Sequence, residues 1–279
     1  MHAKINSYLI QIILLTLPFV LPQFHIHDDN STLLTAISLL FAILVGFFIA
    51  ATTSNYLRLQ TLIADANAQL ISICNLVKII EPNKSEEIVQ AIDDYMISSL
   101  DYELLDFTDN TKKEFSRVLE IANGIEPKDD RGFALVAEIQ SRTYTILSNN
   151  QESTMTAKRI VTTRHWSIIA LLAVLLAISL LSFRNGNIVT SLFVGVMFLT
   201  VYHIMTLVYE IDSNIFLSKQ LEYNDPQQVF EGIGRMNYYP KSAIDKGDAK
   251  PKTDTYRIGI YKDYPNSLEK EIKIIEPSK

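Results

Sequence analysis

The chain has 279 residues, of which 48% are hydrophobic and 20% charged, and its formal net charge is −6. This acidic balance argues against nucleic acid as a partner, because binding to a phosphate backbone needs a basic surface. A single cysteine, Cys74, excludes an internal disulfide framework and a thiolate metal cluster. No glycine pattern of a phosphate-binding loop is present, so the sequence predicts no cofactor.

Four apolar stretches predict membrane spans, because a bilayer core of about 30 Å needs about 20 apolar helical residues. The first stretch is only about 16 residues long and holds Pro18 and Pro22. Such a stretch can also be a signal-peptide core or a re-entrant segment. No A-x-A cleavage site follows Leu21, so we interpret it as a short, kinked span. The stretches form two pairs: Tyr8–Gln23 with Leu33–Ala51, and Trp166–Phe183 with Ile188–Tyr209.

Basic residues predict the orientation of these spans in the cell membrane. The two short loops between paired spans, Phe24–Thr32 and Arg184–Asn187, contain one basic residue, Arg184. The positive-inside rule therefore predicts a multi-pass protein with both termini and the long middle segment in the cytoplasm. The basic residues near the other span ends are Lys4, Arg58, Lys158, Arg159, Arg164 and Lys219.

The middle segment is patterned as helices. The second span continues without glycine or proline to Ile80, which predicts one helix of about 45 residues from Leu33 that ends before Pro82. A second helix is expected from Ser85 to about Phe107.

Two further helices and a tail complete the predicted chain. A third helix runs to Asn123-Gly124, and a fourth begins near Asp129–Arg131 and continues unbroken into the third span. The last forty residues contain one strand-like run, Tyr256–Tyr261, in a tail that docks on a neighbour or hangs free. The predicted fold is an all-α membrane protein with four transmembrane helices in two hairpins and a helical cytoplasmic stalk. Its domains are 1–51, first transmembrane hairpin; 52–165, cytoplasmic helical domain; 166–210, second transmembrane hairpin; and 211–279, cytoplasmic C-terminal helix and tail.

Scattered residues on this layout resemble a known family. A short first span, a long second span and a set of polar and aromatic residues are similar to the bestrophin-like domain family of bacterial and plant membrane proteins. The resemblance covers about Leu33–Arg235. It rests on Gly46-Phe47-Phe48, Asn55-Tyr56, Arg58, Asp65-Ala66-Asn67-Ala68-Gln69-Leu70, Asp94-Tyr95, Arg142, Tyr209-Glu210-Ile211-Asp212 and Phe216.

The resemblance implies a homo-oligomer, expected to be a pentamer, that passes small ions through a central pore in the lipid bilayer. Bestrophins proper conduct anions such as chloride, and their pore narrows at an apolar neck on the second span. The matching positions here are Phe41, Leu44, Val45 and Phe48, which lie three or four apart on one helix face. Such a ring gates by dewetting. The alternative is that these side chains face lipid or pack between helices.

Acidic residues after the second span leave the sign of the ion open. Between Glu81 and Asp109 there are nine acidic residues and one basic residue, Lys84. Glu87, Asp94 and Asp101 repeat every seven residues and share a face, which would attract cations if it lined a vestibule. The alternative is a solvated outer face. No calcium-binding motif follows the last span, so calcium gating is not expected.

Other functions have weaker support. The outer loop holds His25 and His27, which could complete a transition-metal site only by combining copies around an axis, and we predict a hydrophilic turn and no metal site instead. No catalytic motif with known spacing occurs, so an enzyme is not expected. The main alternative to a channel is a non-conducting signalling or scaffold protein that uses the stalk helices to dock a partner.

Overall fold

The structure is a computed structural model that describes residues 2–22, 30–102, 110–127, 129–213, 215–264 and 266–276. It is mostly helical, at 75% helix. Three of its helices are long and apolar enough to cross a membrane, at Ser31–Ile80, Thr163–Ser182 and Ile188–Asp212. The first apolar stretch forms a shorter apolar helix, Ser7–Val20.

The helices up to α7 follow the predicted order. The described helices are α1 (His2–Val20), α2 (Asn30–Ile80), α3 (Ser85–Ser99), α4 (Lys112–Asn123), α5 (Asp130–Thr156), α6 (Thr163–Ser182), α7 (Ile188–Asp212), α8 (Ile215–Ile233) and α9 (Lys241–Lys246). The strands are β1 (Tyr238–Pro240), β2 (Tyr256–Tyr261) and β3 (Lys270–Ile275). The predicted second helix ends at Ser99, and residues 103–109, including the expected end at Phe107, lie outside the described residues.

Contacts divide the chain into two units, which we call the membrane unit and the polar unit. The membrane unit contains residues 1–54 and 159–213, and the polar unit contains residues 55–158 and 214–279. Helix α2 is 51 residues long and contributes to both. A helix of this length forms because no glycine or proline interrupts the half that lies in the polar unit, where buried apolar residues such as Leu62, Leu70 and Val77 repeat at helical spacing.

In the membrane unit, α1 packs closely against α7. Gly195 on α7 lies so near the backbone of α1 that an added Cβ would be 2.6 Å from the carbonyl oxygen of Leu15. Any larger residue at Gly195 would therefore push the two helices apart. This close approach places α1 in the apolar core of the unit, where Leu14 and Leu17 pack.

The end of α1 is held by an arginine from the loop that joins α6 and α7. Helix ends leave carbonyl groups without partners, and Arg184, only 3% exposed, supplies those donors. Its guanidinium donates to the carbonyl oxygens of Pro18, Leu21 at 3.2 Å and Pro22 at 2.7 Å. The single basic residue of the predicted outer loops therefore has a structural role.

The prediction of an unbroken helix from the fourth helix into the third span is wrong. Helix α5 ends at Thr156, and α6 begins at Thr163. Asp212, at the end of α7, accepts hydrogen bonds from the backbone N–H groups of Ile160 at 2.9 Å and Val161 at 3.0 Å. These donors would otherwise bond within a continuing helix, so the buried carboxylate replaces that helical turn.

The polar unit has its own core, built from α2, α3, α4, α5 and α8. Cys74, Val77, Ile92, Ile139 and Phe230 in this core are almost completely inaccessible to solvent. Burial raises the pKa of the Cys74 thiol, which makes a reactive thiolate unfavourable.

The predicted tail does not hang free, because it folds into a sheet on its own chain, and its docking on a neighbour stays a prediction. A three-stranded sheet in the order β1-β2-β3 pairs β1 with β2 in parallel and β2 with β3 in antiparallel orientation. Gly259 in β2 leaves room for the ring of buried Tyr238, since a Cβ there would lie 2.8 Å from its Cζ. The strand predicted at Tyr256–Tyr261 is confirmed, and the sheet is an addition to the all-α fold that the sequence predicted.

Candidate pore helix and its polar contacts

Helix α2 presents two different faces in the membrane unit. The four predicted neck residues lie on the face that packs against the other helices of the same chain. Phe41 is 5% exposed, Val45 and Phe48 are each 3% exposed, and Leu44 is partly buried. The ring centroid of Phe48 is 5.0 Å from that of His165 at the start of α6. Within one chain, residues of the other membrane helices therefore already cover this face of α2.

The opposite face of α2 is open in a single chain. Ile43 and Phe47 are 62% and 64% exposed, although Phe47 is the direct neighbour of buried Phe48. Gly46 lies between Ile43 and Phe47 in the sequence, and a Cβ added to it would meet nothing within 4 Å. Ala50 is also exposed on this side. This open face combines large apolar and small residues, and it is available to lipid, a neighbouring chain or a pore.

In the polar unit, α2 is joined to α5 by hydrogen bonds between polar side chains. Asp65 accepts from the amide of Asn149 at 2.7 Å, and Gln69 accepts from the guanidinium of Arg142 at 2.7 Å. A third bond links Gln69 back to Asp65 at 3.1 Å. These contacts bring together Asp65, Gln69 and Arg142, which the family resemblance identified separately. Asn149 was not predicted, because nothing in its local sequence indicates a partner on α2.

Two more contacts extend this connection along α2. Asn55 donates to the carbonyl oxygen of Thr156 at 3.3 Å, and Arg58 pairs with Glu152 at 2.8 Å. The hydrogen bond with Glu152 raises the pKa of Arg58, and the same bond lowers the pKa of Glu152. Because this pair is exposed, solvent screening keeps its contribution to stability small.

The three acidic vestibule candidates border one cleft, with Glu87 and Asp94 on α3 and Asp101 just after its end, and α4 and β3 border the same cleft. Asp101 accepts from the ammonium group of Lys270 at 2.5 and 2.7 Å and from the hydroxyl of Tyr261. Asp94 is 3.9 Å from Arg117 on α4, and Glu87 also borders the cleft. The structure therefore brings the three carboxylates to one cleft but gives two of them cationic neighbours.

Basic residues of the C-terminal segment pair with the acidic α3. Asp93 and Arg257 form two parallel hydrogen bonds of 2.7 Å, and both side chains are largely buried. Arg235 adds an ion pair with Glu86 at 2.7 Å. A count of charges between residues 81 and 109 missed these cations, because they are more than 140 residues away in the sequence.

Buried tyrosines in the polar unit stay protonated. Burial raises the pKa of Tyr95 to about 12, and its hydroxyl accepts a hydrogen bond from Asn150 at 3.3 Å. Burial likewise raises the pKa of Tyr238 and of Tyr261, whose hydroxyl donates to Asp101. These hydroxyls act as neutral structural groups.

Among the described residues, no group of three or more His, Cys, Asp and Glu side chains is arranged to hold a metal ion. The suggested ligands His25 and His27 lie outside the described residues. His203, within α7, contacts the ring of Tyr202 with centroids 5.6 Å apart.

Comparison with known proteins identifies the same family as the resemblance above. The family model for the Bestrophin-like domain matches residues 9–214, which is most of the chain and runs from within α1 past the end of α7. Neither the curated proteins nor the solved structures contain a significant match.

Proposed function

Because this chain belongs to the Bestrophin-like domain family, we propose that it is a subunit of an oligomeric ion channel. In this proposal, identical subunits, expected to number five, form a closed ring in the cell membrane with both chain termini in the cytoplasm. The second membrane helix, α2, lines the central pore, through which small ions pass passively. A heterologous contact that repeats around an axis closes into such a ring.

The observation that carries this proposal is the open face of α2. Most large apolar side chains on the membrane helices of a single chain can face lipid, and these need no further explanation. On α2, however, exposed Phe47 lies next to Gly46, where an added Cβ would contact no other atom within 4 Å. The small residue Ala50 lies one turn later on the same face. Small residues permit close approach of a neighbouring helix, or they leave the pore wide enough for an ion. This face is therefore suited to the axis of a ring.

We place the neck of the pore at the level of residues 41–48. The prediction that Phe41, Leu44, Val45 and Phe48 form the constriction stays a prediction, and their packing inside one chain favours a structural role. The adjacent residues Ile43 and Phe47 are at the same level and point away from the core. The burial pattern therefore supports a constriction formed by the open face.

Anions, chloride first, are the proposed permeant ions. The main objection was the acidic run on α3. Pairing of Asp93 with Arg257 and of Asp101 with Lys270 offsets part of that charge, so a vestibule beside α3 would repel anions less than the local sequence implies.

Substitutions at neighbouring positions test the channel and the pore face together. We expect Phe47→Ala to increase chloride flux into liposomes, because it removes a large side chain from the constriction. Gly46→Leu should reduce flux, since it adds bulk where the single chain has free space. Phe48→Ala is the matched control, and it should lower the stability of the folded protein by about 3–5 kcal/mol with little effect on flux per folded protein.

The opposite result identifies the other face. If Phe48→Ala and Phe41→Ala change flux while Phe47→Ala and Gly46→Leu do not, the neck predicted from the sequence is correct and the open face contacts lipid. If wild-type protein gives no flux and its particles show no rotational symmetry with an axial opening, the scaffold alternative replaces the channel.

A further inference from the structure

A cluster of basic and aromatic side chains lies where α6 begins and α7 ends in the membrane unit. Arg159 precedes α6, and Arg164 is in its first turn; both are exposed. The guanidinium carbon of Arg159 is 5.6 Å from the ring centroid of Tyr209, near the end of α7. Trp166 contacts the same tyrosine, with centroids 6.2 Å apart. One cation therefore contacts a pair of aromatic rings at one end of two membrane-length helices, and a second cation, Arg164, lies in the first turn of the same helix as Trp166.

These two arginines differ from most others in the described chain. Arg58, Arg142, Arg235 and Arg257 each have a carboxylate within 4.0 Å. Among the described residues, none lies within that distance of Arg159 or Arg164. Within the part of the chain that the structure describes, no ion pair therefore offsets the positive charge at this site.

Acidic residues are absent from the long stretch of sequence that contains both arginines. No Asp or Glu occurs between Glu152 and Glu210, in a protein whose net charge is −6. Glu210 and Asp212 follow Tyr209 at the same end of the unit, and Asp212 Oδ1 already accepts from the N–H groups of Ile160 and Val161. The site has excess positive charge in an otherwise acidic chain.

We propose that Arg159 and Arg164, with Trp166 and Tyr209, form a binding site for the phosphate headgroup of an anionic membrane lipid. Tryptophan and tyrosine favour the interface between headgroups and acyl chains, and basic side chains at that depth attract anionic headgroups. The first turn of α6 adds the positive end of a helix dipole. The proposal rests on the placement of α6 and α7 in a membrane and does not depend on conduction.

Trp166 makes this site directly observable, because it is the only tryptophan in the chain. Full-length protein is reconstituted in phosphatidylcholine vesicles that contain either brominated phosphatidylglycerol or brominated phosphatidylcholine at the same mole fraction. Bromine quenches tryptophan fluorescence on contact. We expect stronger quenching by the anionic lipid, and we expect Arg159→Gln and Arg164→Gln each to reduce that preference about fivefold.

Two controls separate a lipid site from general charge effects. Arg131→Gln removes an exposed arginine from the polar unit and should leave the preference unchanged. Sodium phosphate and sodium chloride at equal ionic strength should weaken the preference equally. Equal quenching by the two lipids, or a preference that survives both arginine substitutions, contradicts the proposal. If the preference is lost in sodium phosphate but not in sodium chloride, free phosphate is the ligand, and the lipid proposal is also contradicted.

Discussion

At the scale of single residues, the ion pair of Asp93 with Arg257 shows how the C-terminal segment is attached. A buried charge is unfavourable unless a partner and hydrogen bonds compensate its lost hydration. The two bonds of 2.7 Å provide this, and the guanidinium also stacks 5.1 Å from the ring centroid of Phe230. The pair thus fixes β2 against α3.

Breaking this pair should release the C-terminal segment. Asp93→Asn leaves Arg257 buried without a full counter-charge, a change that typically costs about 3–5 kcal/mol. We expect trypsin cleavage after the exposed Lys252, which is followed by Thr253, to become at least tenfold faster, because local opening becomes more frequent.

The matched control is Glu271→Gln, which removes an exposed partner of Lys273 on the same sheet. Exposed pairs contribute less than about 1 kcal/mol, so cleavage should stay near the wild-type rate. Equal rates for all three proteins would show that the Asp93 pair does not hold the segment.

The candidate site was only partly predictable at this scale. Asp65, Gln69 and Arg142 were found through the family resemblance, because each belongs to a recurrent local motif. Asn149 and Arg257 were not, since their contacts join positions 84 and 164 residues apart. Burial of Phe48 beside exposed Phe47 was also unpredictable, because an apolar span has no polar face to mark its orientation.

At the scale of elements, the break between α5 and α6 depends on one carboxylate of a third helix. Asp212→Ala removes the acceptor of two backbone N–H groups, and each unsatisfied buried donor costs about 1–3 kcal/mol. We therefore expect a lower midpoint of thermal unfolding in detergent, followed through the fluorescence of Trp166 near the start of α6.

Glu210→Gln provides the comparison, because it changes a carboxylate two residues away that is outside this contact. It should leave the unfolding midpoint nearly unchanged. If both substitutions have the same effect, the loss comes from general charge near the end of α7 and not from the two hydrogen bonds.

The sequence predicted which segments form helices better than it predicted where a helix ends. The start of α5 is marked by Asp129, whose side chain accepts from the N–H of Gly132, and that local signal was recognised. The end of α5 has no proline or glycine, so local sequence favoured continuation. The competing interaction comes from Asp212, more than 50 residues later.

At the scale of the whole molecule, orientation in the membrane is the prediction to test. Native Cys74 is unsuitable as a probe, because it is completely buried and should stay unlabelled on either side. In a Cys74→Ala background, Asn187→Cys should react with an impermeant thiol reagent added to intact cells. Ser148→Cys, at an exposed site on α5, should react only after the cells are permeabilised.

The reverse labelling pattern would invert the proposed orientation. Labelling of both positions in intact cells would instead indicate damaged membranes, which a cytoplasmic marker protein detects independently. Substitution of Asn187 removes the cap of α7 at a cost of about 1 kcal/mol, so expression of that variant is compared with Ser148→Cys.

The contact between Arg184 and α1 has a consequence for the order in which the protein is made. The ribosome completes α1 first, but the arginine that pairs with its terminal carbonyls is synthesised 166 residues after Pro18. Until then, the carbonyls of Leu21 and Pro22 must find water or lipid headgroups as partners. The final position of α1 is therefore set late, after α6 has been inserted, and the two halves of the membrane unit complete their biogenesis together.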